Sequence, residues 1–122
     1  MRTRESEEMY LETIYLLKLR KANVRSVDIV EELDYAKSSV SRGVNLLADK
    51  GYVTLDHATG DIEFTKSGYE KAAKIYERHG VISAALQKIG ASYKVAEENA
   101  CRIEHVISDE LFALIKTFLE KS

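Results

Sequence analysis

The stretches Tyr52-Val53-Thr54-Leu55-Asp56 and Asp61-Ile62-Glu63-Phe64-Thr65 decide the fold of this 122-residue chain. Each stretch alternates apolar and polar side chains and is rich in residues that favour strands. His57-Ala58-Thr59-Gly60, between them, is typical of a turn. The two stretches therefore predict a β-hairpin.

Three helices are predicted before this hairpin, because apolar residues recur at three- and four-residue spacing. They span about residues 6–21, 27–33 and 37–50. Ser6 and Ser26 are the predicted N-caps of the first two helices, and Gly51 is the predicted end of the third. The second and third helices are joined by a tight break at 34–36, which is typical of a helix-turn-helix. With the hairpin behind them, they predict a winged helix-turn-helix.

The N-terminal face of the third helix carries small hydroxyls and cations, as a DNA-reading helix does. That end of the helix enters the major groove, where hydroxyls approach closely and Lys and Arg neutralise phosphates. A plain helical hairpin with a solvated face is the alternative for the helix pair alone, and the wing favours DNA binding. We expect His57, at the hairpin tip, to be exposed or near a phosphate and not to be a metal ligand. The predicted DNA-binding residues are Ser26, Lys37, Ser38, Ser39, Ser41 and Arg42.

After the hairpin the sequence predicts three more helices. They span about residues 66–89, 93–106 and 109 onward, with Ser92 and Ser108 as N-caps of the last two. The last helix has a wide apolar face, which predicts packing against a second copy of the chain. A twofold dimer would match the symmetry of a palindromic DNA site. That face consists of Leu111, Leu114, Ile115, Phe118 and Leu119.

The only cysteine lies in Glu97-Glu98-Asn99-Ala100-Cys101-Arg102-Ile103-Glu104-His105. In a helix, residues three and four apart share a face, so Cys101, Glu104 and His105 are predicted to project together, with Glu97 one turn earlier. Thiolate, carboxylate and imidazole together suit a divalent first-row transition metal. A half-buried cysteine beside ordinary surface charges is the alternative for this stretch taken alone.

Composition favours a mostly helical protein, with no proline and 31% charged residues. No apolar run approaches the length of a membrane span, and the N-terminus does not have the pattern of a signal peptide. One cysteine cannot form an internal disulfide, so a reducing cytoplasm is expected. The net charge of −2 is weak evidence against DNA binding, since a small basic face can lie on an acidic protein. No nucleophile elbow, phosphate loop or zinc-protease motif is present.

Four local strings, in this order of elements, resemble a known family. They are Glu8-Met9-Tyr10-Leu11-Glu12-Thr13-Ile14-Tyr15, Ser38-Ser39-Val40-Ser41, Thr65-Lys66-Ser67-Gly68 and Glu98-Asn99-Ala100-Cys101-Arg102-Ile103-Glu104-His105-Val106-Ile107-Ser108-Asp109-Glu110. The chain resembles the metal-dependent repressors of the diphtheria toxin repressor and manganese transport regulator family, over nearly its whole length. The resemblance implies a winged helix-turn-helix DNA-binding domain (residues 1–70) followed by a helical metal-binding and dimerisation domain (residues 71–122).

The resemblance also implies ligands by position. Glu12 matches a ligand of the manganese branch of the family, and His79 matches a ligand position in both branches. Without the resemblance, Met9 would be interpreted as a side chain of the hydrophobic core, Glu12 as a solvated carboxylate and His79 as a structural histidine. The primary site of the iron-responsive branch is matched by Met9, Cys101, Glu104 and His105.

The sequence departs from the iron-responsive branch at its second site. Ser83 stands where that branch has a carboxylate, and Glu97 stands where it has a histidine. A second site would therefore combine His79 with Glu12 or Glu97. The chain also ends too early for the SH3-like third domain that is usual in that branch.

The expected function is a metal-activated DNA-binding repressor of iron or manganese uptake genes. It would be a cytoplasmic homodimer on a double-stranded DNA operator, and not an enzyme. Thioether and thiolate favour Fe²⁺, and the carboxylates make Mn²⁺ the next choice; nickel, cobalt and zinc could bind in vitro. One alternative is a metal-independent winged-helix regulator with Cys101 as a redox sensor. A small metalloenzyme is the other, but no second acid–base pair is apparent and the winged helix would go unexplained.

Overall fold

The computed structural model describes residues 3–121, with side chains from residue 6 onward. The described elements follow the order α1 (Thr3–Arg20), α2 (Ser26–Leu33), α3 (Lys37–Asp49), β1 (Val53–Leu55), β2 (Ile62–Phe64), α4 (Lys66–Lys88), α5 (Tyr93–Ile103) and α6 (Asp109–Glu120). The predicted class, mainly α with a small β-hairpin, is confirmed. The chain divides into two compact units, Met1–Ala73 and Lys74–Ser122.

The first unit is built around apolar side chains from α1, α2, α3 and the hairpin. The strands β1 and β2 pair antiparallel, with Thr54 opposite Glu63. The amide of Ile62 also donates to the carbonyl of Val24 (2.8 Å), so the segment before α2 lies beside the hairpin. Apolar side chains that recur at helical spacing thus pack against one face of the β-hairpin. The buried set includes Leu11, Ile14, Val24, Ile29, Val40, Val44, Leu47, Val53 and Ile62.

Local capping residues end and start several helices as predicted. Gly51 adopts φ +82° after α3, and its amide and that of Tyr52 bond back to the carbonyls of Ala48 and Leu47 at 3.0 and 2.9 Å. The hydroxyls of Ser92 and Ser108 accept from the amides of Val95 and Leu111, at 3.2 and 3.1 Å. These N-caps of α5 and α6 are confirmed.

Two predicted N-caps are wrong. Ser6 lies inside α1, because the helix already begins at Thr3 in a run of Arg and Glu residues with good helix propensity. Ser26 is the first residue of α2, and the N-cap is Arg25. The amide of Arg25 donates to Oδ2 of Asp28 (2.8 Å), so this carboxylate sets the helix start one residue earlier.

The corner between the hairpin and α4 depends on Thr65 and Gly68. The Thr65 hydroxyl donates to the carbonyl of Gly51 (2.6 Å) and accepts from the amide of Gly68 (3.1 Å). The Thr65 amide donates to the carbonyl of Tyr52 (3.0 Å). A Cβ atom at Gly68 would collide with that same Tyr52 carbonyl. Backbone therefore packs against backbone here, which explains why the Thr65-Lys66-Ser67-Gly68 string needs a glycine in its last place.

Gly68→Ala should lower the free energy of unfolding by about 2–3 kcal/mol, because the colliding atom belongs to backbone that is fixed by hydrogen bonds. Denaturant unfolding followed by circular dichroism measures the change. Gly80→Ala is the matched control, since a Cβ at Gly80 in α4 meets nothing within 4 Å. The free energy of unfolding of this control should rise by about 0.5–1 kcal/mol, because alanine has a higher helix propensity than glycine. Equal effects at the two glycines would contradict the packing argument.

Candidate metal centre

The second unit holds a cluster of acidic and imidazole side chains centred on His79. His79 lies in α4, Glu97 lies in α5, and Glu104 is the C-cap residue of α5. The imidazole Nδ1 lies 3.0 Å from Oε2 of Glu104, and Nε2 lies 3.1 Å from Oε1 of Glu97. Both ring nitrogens therefore face carboxylates, and the two helices are joined through one histidine.

The charges in this cluster are strongly coupled. The hydrogen bond to Glu104, with a further contribution from Glu97, outweighs burial and raises the pKa of His79 to about 9. The hydroxyl of Ser83 donates to Oε2 of Glu97 (2.5 Å), and this bond together with His79 holds the pKa of Glu97 below its ordinary value. At neutral pH without metal, a protonated imidazole thus holds two carboxylates together. A metal ion would have to take the place of that proton.

Glu104 is the most deeply buried charge of the cluster, with only 2% of its surface exposed. Its Oε1 atom lies 3.2 Å from Nε2 of His105, yet no described residue offers that oxygen a hydrogen bond of good geometry. A buried carboxylate oxygen without a donor is costly. The atom therefore marks a place where a cation would be stabilised.

The donor atoms of this cluster fit a divalent transition metal. His79 and His105 offer imidazole nitrogen, and Glu97 and Glu104 offer carboxylate oxygen. This mixture suits manganese, iron and zinc, whereas magnesium and calcium prefer oxygen alone. His105 is half-buried and Glu104 is buried, so a bound ion would be partly shielded from water.

The end of α5 differs from the prediction. The helix stops at Ile103, not near Val106, and His105 lies in the following turn. Nη2 of Arg78 donates to the carbonyl of Ile107 (2.8 Å), which holds the chain in a loop before α6. Cys101 is exposed while Glu104 is buried. The common face predicted for Cys101, Glu104 and His105 stays a prediction.

The predicted ligands of α1 lie in the first unit. Met9 is half-buried, and its Sδ atom accepts a hydrogen bond from the hydroxyl of Tyr35 (3.5 Å). Glu12 is buried, with 7% of its surface exposed, so it is not the solvated carboxylate that its sequence context alone would give. Their roles as ligands stay predictions.

The predicted DNA-binding residues lie mainly at the start of α3. Four of them are exposed, Ser39 is half-buried in the same helix, and Ser26 is half-buried at the start of α2. His57 is exposed in the hairpin turn, as predicted. The exposed α3 residues are Lys37, Ser38, Ser41 and Arg42.

Sequence reasoning missed the long-range contacts of three polar residues, Glu7, Tyr35 and Ser83. The carboxylate of Glu7 is buried and lies 2.8 Å from Nζ of Lys50 and 3.1 Å from Nζ of Lys71, all within the first unit. Tyr35 contacts Met9, and Ser83 contacts Glu97. These partners are 14 to 64 residues apart, so no local periodicity could have indicated them.

Two sequence models of one family match the chain in succession. The DNA-binding domain of the iron-dependent repressors matches residues 2–60, and their metal-binding and dimerisation domain matches residues 65–122. Together with the winged helix, this defines the class of metal-dependent transcriptional regulators. The chain belongs to the iron-dependent repressor family.

Individual relatives agree with this assignment. An uncharacterised helix-turn-helix-type transcriptional regulator of Methanocaldococcus jannaschii is 35% identical over 119 residues, covering 96% of this chain and 94% of that protein. The regulator MntR of Lysinibacillus sphaericus is 31% identical over 84% of this chain and 73% of its own length. The diphtheria toxin repressor of Corynebacterium diphtheriae is 30% identical over 88% of this chain and 47% of its own.

Solved structures show the same fold. The manganese regulator SloR matches with a TM-score of 0.81 and 26% identity, over 95% of this chain and 54% of that one. A manganese-dependent transcriptional repressor in complex with manganese matches with a TM-score of 0.84 and 25% identity, over 95% and 53%. The chain thus spans about half the length of these two proteins and of the diphtheria toxin repressor. No described helix is long and apolar enough to cross a membrane.

Proposed function

We propose that this protein is a metal-activated, DNA-binding transcriptional repressor that controls iron or manganese uptake genes, and that it has no enzymatic activity. The observation that carries the proposal is the buried carboxylate of Glu104, which lies against His79 and near His105 while its Oε1 atom has no described hydrogen-bond donor. Family membership supports a regulatory role for this cluster.

The proposed ion is Fe²⁺ or Mn²⁺. The relatives include an iron-dependent repressor and a manganese-dependent one, and the nitrogen and oxygen donors of the cluster suit both ions. When bound, the ion supplies positive charge that neutralises the carboxylates. Within the second unit, Glu104, His105, His79 and Glu97 are the proposed ligands. Met9 and Glu12 are proposed on the sequence resemblance alone, and Cys101 on the resemblance and on its spacing from Glu104 and His105.

The proposed partner is a double-stranded DNA operator. The exposed start of α3 would lie in the major groove, with Lys37 and Arg42 against phosphates and Ser38 and Ser41 close to base edges. Residues 1–70 form the proposed DNA-binding domain, and residues 71–122 form the proposed metal-binding and dimerisation domain. A homodimer would place two α3 helices on two half-sites.

Activation is a coupling between metal binding and DNA binding. Such a coupling is typically about 1–3 kcal/mol, which corresponds to a change in affinity of about 5- to 150-fold. The dimer conformation whose recognition helices fit the operator would be favoured when the proposed ligands hold a metal ion, so metal and DNA would each raise the affinity for the other.

Fluorescence anisotropy on a candidate promoter, titrated anaerobically with each metal, tests the proposal. Operator affinity should rise by about 5- to 150-fold with Fe²⁺ or Mn²⁺ and return to its starting value with a chelator. Equal affinity with metal and with chelator would overturn it. A response to peroxide instead of metal, lost in Cys101→Ser, would indicate the redox alternative, which family membership does not favour.

A further inference from the structure

The first unit contains a run of side-chain contacts that begins at Met9 and ends on α3. The hydroxyl of Tyr35, in the turn between α2 and α3, donates to Sδ of Met9 (3.5 Å). The ring of Tyr35 meets the ring of Tyr10 edge to face, with centroids 6.4 Å apart and planes at 88°. Such edge-to-face pairs are geometrically specific. Tyr35 therefore touches both a proposed metal ligand and a core aromatic residue.

Tyr10 in turn rests directly on the recognition helix. It is 7% exposed, and a Cβ atom at Gly43 in α3 would overlap its ring. Its hydroxyl donates to the carbonyl of Ser39 (3.4 Å), near the end of α3 that carries the proposed DNA contacts. The glycine allows this close approach. A displacement of the Tyr10 ring would consequently require α3 to move as well, because packed interiors have little free space.

The backbone at Tyr35 is also defined. The preceding residue, Asp34, has φ 56° and ψ 44°, and its amide donates to the carbonyl of Val30 (2.8 Å), which closes α2. The turn is thus held by its own hydrogen bond in a left-handed conformation. The side chain of Tyr35 therefore starts from a backbone position that follows this hydrogen-bonded turn.

We propose that Tyr35 is a positioning residue that couples the thioether of Met9 to the recognition helix α3 through Tyr10. This inference rests on the proposed function, since it takes Met9 as a metal ligand. A thioether sulfur has two lone pairs, so it can accept the Tyr35 hydroxyl and still bind a metal ion. Once Met9 holds a metal ion, its contact with Tyr35 would restrain Tyr35 and Tyr10, and through them the proposed DNA-reading end of α3.

Tyr35→Phe tests the inference, because it removes the hydroxyl and keeps the ring that packs on Tyr10. Operator affinity is measured by anisotropy without metal and at saturating Mn²⁺, and metal affinity is measured by calorimetry. The ratio of operator affinities with and without metal should fall by about 3- to 10-fold, the usual range for one lost hydrogen bond. Metal-free operator affinity and metal affinity should change less than about twofold.

Tyr69→Phe is the matched control, because it removes a hydroxyl from an exposed tyrosine of the same unit. It should leave the ratio unchanged. An unchanged ratio in Tyr35→Phe, beside a wild type that responds to metal, overturns the inference and leaves the proposed function standing. Weaker metal binding with full coupling at saturation also overturns it, as does an equal loss of DNA affinity with and without metal. A wild type without any metal response contradicts the proposed function itself.

Discussion

Replacing Glu104 by glutamine should abolish the metal-dependent rise in operator affinity. Glutamine keeps the size of the side chain but removes the negative charge and the carboxylate ligand at the most buried point of the cluster. Substitution of a residue that only orients a metal ligand typically lowers metal affinity by about 10- to 100-fold. Loss of a direct ligand should therefore lower metal affinity by more than about 100-fold. Calorimetry with Mn²⁺ and anisotropy on the operator measure the two effects.

The same variant has a metal-free readout. The pKa of His79, about 9 in the wild type, should fall in Glu104→Gln because the Glu104 hydrogen bond is the largest cause of its elevation. A titration of the imidazole resonances by nuclear magnetic resonance measures this pKa without any metal. An unchanged His79 titration would show that the two side chains are not in contact in solution.

Glu98→Gln is the matched control for this prediction. Glu98 is an exposed glutamate of the same helix, α5, and the substitution is chemically identical. It should leave metal affinity, operator affinity and the His79 titration within about twofold of the wild type, because exposed surface substitutions have small effects. If the Glu104→Gln variant binds metal and operator as tightly as this control does, the proposed function loses its main support.

The fold could be predicted largely because its signals are local. Alternation over three residues marks β1 and β2, and serine hydroxyls mark the starts of α5 and α6. The helix ends that were predicted wrongly depend on more distant or competing groups. Asp28 moves the start of α2 to Arg25, and the contact between Arg78 and the Ile107 carbonyl, 29 residues apart, sets the loop after α5.

The sequence predicted which types of residue form the candidate site, but not which of them are buried or which contacts they make. The spacing of Cys101, Glu104 and His105 gave three ligand-type side chains, yet spacing alone carries no information on burial. In the structure, Cys101 is exposed and Glu104 is buried. Ser83 was recognised only as a departure from the family pattern, whereas its hydroxyl in fact holds Glu97 in place. Such a contact arises from helix packing, which a helical-wheel argument does not contain.

The apolar face of α6 leads to the second large expected effect. Leu111, Leu114 and Phe118 recur at helical spacing and are 46%, 61% and 50% exposed. Leu114 and Phe118 also line an apolar groove of about 320 Å³ within the second unit. An exposed apolar face of this kind typically marks a protein–protein interface. The groove is lined by Ile82, Ala85, Leu86, Ile89, Ile103, Leu114, Ile115 and Phe118.

Leu114→Glu should convert the dimer into a monomer, because it places a charge in the centre of this apolar face. Sedimentation equilibrium measures the oligomeric state. Operator affinity should fall by about 100-fold or more, since a monomer loses the second half-site and with it the gain from bivalent binding. Metal binding by the cluster should persist, which separates this effect from that of Glu104→Gln.

Leu19→Glu is the control for the oligomeric state. Leu19 is a leucine of α1 with 62% exposure, nearly equal to the 61% of Leu114, but it lies outside the proposed dimerisation domain. The same charge at the same degree of exposure should leave the sedimentation of the dimer unchanged. A dimer in both variants would mean that α6 does not form the interface. A monomeric Leu114→Glu that still binds the operator with wild-type affinity would instead contradict the use of two half-sites, because one α3 helix would then carry the whole binding energy.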